Sequence, residues 1–148
     1  MSETAATSIH ASAVAVGDRA VLIRGPSGCG KSRLAFDLIC TGRTGAIPPT
    51  TLIGDDRIVL SVHDGALIGT GAAKLKGMIE IRGLGVRKID FAERGTLAVV
   101  VDLSSSDAER MPPPHATTTH ILGVELPRIP VGRGHNPLPL IVAFLTTT

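Results

Sequence analysis

Eight consecutive residues constrain this chain more than any others: Gly25-Pro-Ser-Gly-Cys-Gly-Lys-Ser32, a match to G-x-x-x-x-G-K-[ST]. Such a loop works only between a strand and a helix. Its glycines let successive backbone N–H groups curl into a nest around phosphate oxygens. A helix that starts directly after it adds the positive end of its dipole. Both neighbours are legible. Val21-Leu22-Ile23 reads as a buried strand, and Lys31 to Cys40 reads as a helix with Leu34, Ala35, Leu38 and Ile39 on one stripe and Gly42 placed to end it. In this reading Gly25, Pro26, Ser27, Gly28, Cys29 and Gly30 form the cradle, Lys31 reaches the β- and γ-phosphates, and the Ser32 hydroxyl ligates Mg²⁺. The bland alternative is a glycine turn with a surface lysine.

The rest of the chain supplies the scaffold such a loop needs. Its 148 residues fit one domain, spanning 1–148. Residues 13–16 and 20–24 flank Gly17-Asp18 as a hairpin, and 58–62 and 66–69 flank His63-Asp-Gly65 as a second. Met78–Arg82 alternates like a half-buried strand, Leu97–Leu103 reads as a buried one, and 121–126 and 138–145 close the fold. Residues 41–51 and the polar, proline-rich 104–120 read as loops, the latter a mobile one. Several strands and few helices predict an α/β domain with a mixed sheet. Aromatic residues are 2% of the chain, which excludes a stacking platform for single-stranded nucleic acid. A net charge of +2 gives no footprint for duplex binding either. No 18-residue apolar run and no signal-like N-terminus predict a cytoplasmic protein without membrane insertion, and Cys29 and Cys40 form no metal or disulfide pattern.

Two further features carry chemistry. Asp55-Asp56 follows the apolar step Thr51-Leu-Ile-Gly54, so one carboxylate can hold Mg²⁺ or its water while the other accepts a hydroxyl proton. Taken alone, the pair reads equally as a surface Asx turn. In Ile79-Glu-Ile-Arg-Gly-Leu-Gly85, strand alternation puts Glu80 and Arg82 on one face, as a metal–phosphate site or a solvent-facing ion pair would have them. The five histidines share no metal-ligand spacing.

Together the loop at 25–32, Gly-Asp-Asp-Arg at 54–57 and the signature at 79–85 resemble the C-terminal catalytic domain of HPr kinase/phosphorylase, with weaker similarity reaching from about residue 8 to 145. The resemblance implies a P-loop kinase domain that uses ATP and Mg²⁺ to phosphorylate a serine of an HPr-type phosphocarrier of the phosphotransferase system. It also implies the reverse attack by inorganic phosphate, releasing pyrophosphate. It casts Lys31 as the P-loop lysine, Ser32 and Glu80 at the metal, and Asp56 as proton acceptor, which leaves Asp55 as the carboxylate of the pair that holds Mg²⁺ or its water. His10, fifteen positions before Gly25, matches the family's active-site histidine, and Arg110 matches its catalytic arginine. A homo-oligomer, a hexamer in the family, is implied as well.

The departures from the family predict differences. The chain reads as a short version, the kinase domain without the usual N-terminal domain or long C-terminal helix, and residues 41–51 read as longer than usual. In the loop tied to dephosphorylation, Pro130-Val-Gly-Arg-Gly-His-Asn136 carries His135 where members carry arginine, with Arg133 close by. A competent kinase with weak phosphorolysis is therefore expected. Two other readings stay open: a P-loop kinase for a small molecule, and a non-catalytic ATP-sensing module. An open groove beside Asp56 would favour a protein acceptor, and a deep closed pocket a small one.

Overall fold

The computed structural model of the chain describes residues 6–148. The N-terminal segment 1–5, from which the absence of a signal was read, lies outside the described residues. The strands are β1 (Ala6–Ile9), β2 (Ser12–Val16), β3 (Arg19–Arg24), β4 (Thr50–Gly54), β5 (Ile58–His63), β6 (Ala66–Gly71), β7 (Met78–Ile81), β8 (Gly85–Lys88), β9 (Arg94–Asp102), β10 (Thr118–Ile121) and β11 (Val124–Pro130). The helices are α1 (Lys31–Arg43) and α2 (Leu138–Thr146).

Nine of these strands form one mixed sheet in the order β1-β5-β6-β9-β3-β2-β4, and β10–β11 joins it through β9. The sheet is antiparallel except at its centre, where β9 runs parallel to β3 and to β11. One edge of β9 is shared: residues 94–96 pair with β6, and residues 100–102 pair with β11. The two hairpins form as predicted, β2–β3 around Gly17-Asp18 and β5–β6 around Asp64-Gly65. In the second, Asp64 and Gly65 have φ of 51° and 78°, the left-handed pair of a type I′ turn.

Period-2 alternation sorts the central strands between two cores. Val21 and Ile23 of β3 face α1 and pack with Leu34, Leu38, Val99, Val101 and Ile141. Ala20 and Leu22 face the opposite side with Ile53, Leu60, Leu67 and Val100. A bulge in β9, where Ala20 pairs with Leu97 but Val21 with Val99, puts Leu97 in that second core.

Three expectations need correction. The helix does not stop at Cys40 with Gly42 as its terminator; it runs to Arg43, and Gly42 is buried inside it. A Cβ at Gly42 would lie 2.8 Å from the Thr50 backbone nitrogen, so this glycine permits close helix–strand packing rather than helix termination. The loop read at 41–51 is correspondingly shorter, and the segment read as a loop over 104–120 holds the start of β10. The closing segment 138–145 is helical, with Pro in its first turn and Ile141 and Leu145 turned into the core. Strands β7 and β8 stand apart as a two-stranded ribbon, and β8 is exposed along its whole length.

Candidate active site

The parallel strands β3, β9 and β11 end on one side of the sheet, and the segments that leave them surround a cleft of about 1050 Å³. Ligand sites in sheets with parallel strands lie outside such carboxyl ends. From β3 comes the Gly25–Gly30 loop, from β9 Leu103 and Ser104, and from β11 the stretch Val131–Asn136. The end of β7 and the turn after it close one wall with Glu80, Ile81 and Arg82.

Within the loop, Gly25, Gly28 and Gly30 have φ of 154°, 80° and 100°. A Cβ on Gly28 or Gly30 would meet nothing within 4 Å, so this side of the nest faces open space. Lys31 begins α1 and is 7% exposed. Its ammonium donates to the carbonyls of Gly25 at 2.8 Å and Pro26 at 3.1 Å, which folds the charge back over the loop it follows.

Asp55 is the hub of the next layer. It sits at the end of β4, 6% exposed, and accepts from Ser32 Oγ at 2.7 and 2.9 Å, from Ser12 Oγ at 2.6 Å and from the Glu80 backbone N–H at 3.1 Å. The buried carboxylate is thereby satisfied without a cationic side chain among these partners. Ser12 was invisible as a site residue in the sequence; the only signal was a lone hydroxyl in an apolar strand.

Asp56 is oriented differently. Its φ of 74° puts a non-glycine residue in the left-handed region, which Asp tolerates through its short polar side chain. The turn separates the two neighbouring carboxylates, so Asp55 points inward and Asp56 outward. Asp56 Oδ1 meets His10 Nε2 at 2.5 Å, and their side chains are 63% and 44% exposed. A segment ending at residue 10 and a turn at 56 meet because β1 pairs antiparallel with β5, with Ile9 opposite Ile58.

The sequence-derived candidates do not all converge. His10, Ser27–Ser32, Asp56 and Glu80 line the cleft, and Asp55 backs it through Ser32. Gly25 and Pro26 do not line it; their carbonyls accept from the Lys31 ammonium. Arg110 is exposed and does not line the cleft. His135 lines it, whereas neighbouring Arg133 does not.

The residues that could hold Mg²⁺ are Ser32, Glu80 and Asp55. They offer one hydroxyl and two carboxylates, and hard oxygen donors are what Mg²⁺ prefers. Among the described residues no three His, Cys, Asp or Glu side chains gather into a metal centre of their own.

A charged network behind the loops escaped the sequence reading. Asp102, the last residue of β9, accepts from Arg24 Nε and a terminal nitrogen at 2.7 and 2.8 Å and from Arg128 Nε at 2.5 Å. Arg128 also donates to Asp107 at 2.8 Å, to the Ala116 carbonyl at 2.8 Å and to Ser105 at 3.0 Å. Burial pushes the Asp102 carboxyl upward, but the hydrogen bonds and charges of Arg24 and Arg128 outweigh it and hold its pKa below the ordinary value. Hydrogen bonds from Arg128 and then Ser105 hold Asp107 down to about 2.

Comparison with known proteins places this arrangement. The family model described as HPr Serine kinase C-terminal domain matches residues 2–147. The HPr kinase/phosphorylase of Chlorobium phaeobacteroides is 35% identical over 141 residues, covering 86% of this chain and 39% of the relative. That of Treponema pallidum is 36% identical, covering 90% and 44%. The chain thus spans about two-fifths of the length of these relatives. The structure of the Hpr(Ser) kinase/phosphatase from Coxiella burnetii superposes with a TM-score of 0.72 at 27% identity, covering 93% of this chain and 92% of that one.

Proposed function

The chain belongs to the HPr serine kinase C-terminal domain family, and from that premise we propose that it transfers the γ-phosphoryl group of ATP to a serine of an HPr-type phosphocarrier. The observation that carries this reading is the exposed Asp56–His10 pair on the rim of a cleft floored by the Gly25–Ser32 loop. The carboxylate is open enough for a protein loop to reach it. A base serving a small molecule would be walled in.

The roles follow from position. Backbone N–H groups of Gly28–Ser32 hold the β- and γ-phosphates, and Lys31 swings its ammonium from the Gly25 and Pro26 carbonyls onto them. Ser32, with Asp55 behind it and Glu80 across the cleft, holds Mg²⁺. The ion supplies charge neutralisation at the phosphate oxygens. Asp56 takes the proton of the acceptor hydroxyl, and His10 orients it. His135 lines the cleft where the family carries arginine, so the permanently charged, fork-shaped guanidinium that would help bring inorganic phosphate to a phosphoserine is missing at this position. Kinase activity therefore exceeds phosphorolysis in this reading. We place the protein in the cytoplasm with its carrier, as a homo-oligomer.

The test is incubation with labelled ATP, Mg²⁺ and HPr-type carriers, followed by mapping of the label. Label on a carrier serine supports the proposal. Label on a small molecule alone, or nucleotide binding without any transfer, replaces it with a small-molecule kinase or an ATP-sensing module.

A further inference from the structure

Three segments must keep a fixed mutual placement if the cleft is to hold a polyphosphate: the loop after β3, the turn after β9 and the stretch after β11. Backbone rungs join their roots. Leu103 N–H donates to the Arg24 carbonyl at 2.9 Å, Val131 N–H to the Asp102 carbonyl at 2.8 Å, and Ser105 N–H to the Val131 carbonyl at 2.9 Å. Side chains repeat the connection. Arg24 directly precedes Gly25, Asp102 directly precedes Leu103, and Arg128 stands three residues before Val131. Asp102 is the centre, with one oxygen on Arg24 Nε and the other shared between Arg24 and Arg128.

The pairing is built rather than incidental. The Asp102 and Arg128 side chains are 16% and 14% exposed, and Arg24 is 31% exposed. Exposed ion pairs contribute little, but one oxygen acceptor between two fork-shaped donors fixes geometry as well as charge. The set Arg24, Arg128, Asp102 and Asp107 is neutral as a whole, so no partner is left with uncompensated charge. None of these four side chains lines the cleft.

We infer that Asp102 is a positioning residue of the cleft: by holding Arg24 and Arg128 together it sets the Gly25–Gly30 loop and the Val131–Asn136 stretch at the separation that a bound polyphosphate requires. Arg24 is the arm to the first segment and Arg128 the arm to the second. A displacement of about 1 Å in such groups is enough to lower activity by roughly a hundredfold.

The test uses the full chain and two readouts. The first is amide hydrogen exchange in wild type and in Asp102→Asn, which keeps the shape but loses the charge. Exchange should rise by roughly tenfold or more in both 25–30 and 131–136 while the β5–β6 hairpin stays as in wild type. Arg24→Gln should loosen 25–30 alone, and Arg128→Gln 131–136 alone; these variants also serve if Asp102→Asn does not fold. The second readout is calorimetric affinity for Mg·ADP, compared with Leu67→Ala, a destabilising change in the opposite core. Asp102→Asn should weaken binding by roughly tenfold and Leu67→Ala by less than about twofold. Exchange that rises evenly along the chain, single-arm variants that loosen both segments alike, or equal affinity losses in Asp102→Asn and Leu67→Ala would each overturn the inference. The affinity readout rests on the kinase reading, whereas the exchange readout does not. A wild type that binds no Mg·ADP therefore counts against the kinase, and the clamp is then decided by exchange alone.

Discussion

Lys31 stands where a single charge does the most. Its ammonium lies over the loop that precedes it, bonded among the described residues to the Gly25 and Pro26 carbonyls. Lys31→Ala should slow ATP-dependent phosphorylation a hundredfold or more, about 3 kcal/mol of transition-state stabilisation, read from initial rates on a carrier protein. Near-normal turnover would remove the loop from the chemistry. The two neighbouring aspartates should separate by function as they do by direction. Asp56→Asn keeps the shape and loses the proton acceptor, so Mg·ATP binding by calorimetry should persist while transfer disappears. Asp55→Asn instead disturbs the carboxylate that Ser12, Ser32 and the Glu80 backbone share, and should raise the Mg²⁺ concentration needed for half-maximal activity. If Asp55→Asn loses transfer at saturating Mg²⁺ while Asp56→Asn retains it, the two roles are exchanged. At His135 the expected outcome is directional. His135→Arg should increase pyrophosphate release from phosphorylated carrier at pH 7, and no change would shift that role away from this position.

At the scale of elements, α1 and β4 touch through Gly42. Alanine there would gain about 1 kcal/mol of helix propensity. It would also drive a Cβ to 2.8 Å from the Thr50 backbone nitrogen, an atom that cannot rotate away. Overpacking of this kind costs about 1–3 kcal/mol, so Gly42→Ala should destabilise on balance and lower the denaturant midpoint. A raised midpoint would mean that the helix and strand separate easily. Gly42 also shows where sequence reading fails. A glycine near a helix end signals a terminator, and only the neighbouring strand reveals a packing role. The helix α1, strands β3 and β9 and both hairpins were legible because apolar periodicity and turn residues agreed. Strand β8 was not, because Gly-Val-Arg-Lys is exposed throughout and alternates with nothing. Helix α2 is an apolar run with no acidic residue in its first turn and no basic one in its last, a pattern that strands and helices share. In the site, the candidates that the structure brings to the cleft are 27–32, 55–56 and 80, which stand in short motifs, and His10, which only its distance from the loop singled out. Ser12 and the Arg24–Asp102–Arg128 set were not legible, since their partners stand 43, 78 and 26 residues away and leave no spacing to read.

Across the whole molecule, the same charged set predicts how the protein meets acid. Asp102 and Asp107 have folded pKa values below their unfolded ones, Asp107 at about 2. Their contribution is therefore present above the unfolded carboxylate value of about 3.9 and is lost as pH falls through the folded values. Denaturant midpoints should fall between about pH 4 and 2, and Arg128→Met should flatten that fall. A variant as acid-sensitive as the wild type would assign the loss to other carboxylates.

The parallel join between β3 and β9 sets an order of events during synthesis. Arg24 meets a partner 78 residues further along the chain, and β11 must arrive later still. Local hairpins such as β2–β3 and β5–β6 close over a few residues and form early, whereas long loops close late. A ribosome-bound fragment ending before residue 94 has the whole Gly25–Ser32 motif, but β3 is then paired on one side alone, by β2, and lacks β9 on the other. The motif is thus translated well before the strands that fix it, and in the kinase reading it becomes a phosphate cradle only once β9 and β11 have paired. Nascent chains of increasing length should gain Mg·ADP binding in one late step, after Pro130 has emerged, and a fragment that binds before β9 is complete would show that the loop folds on its own.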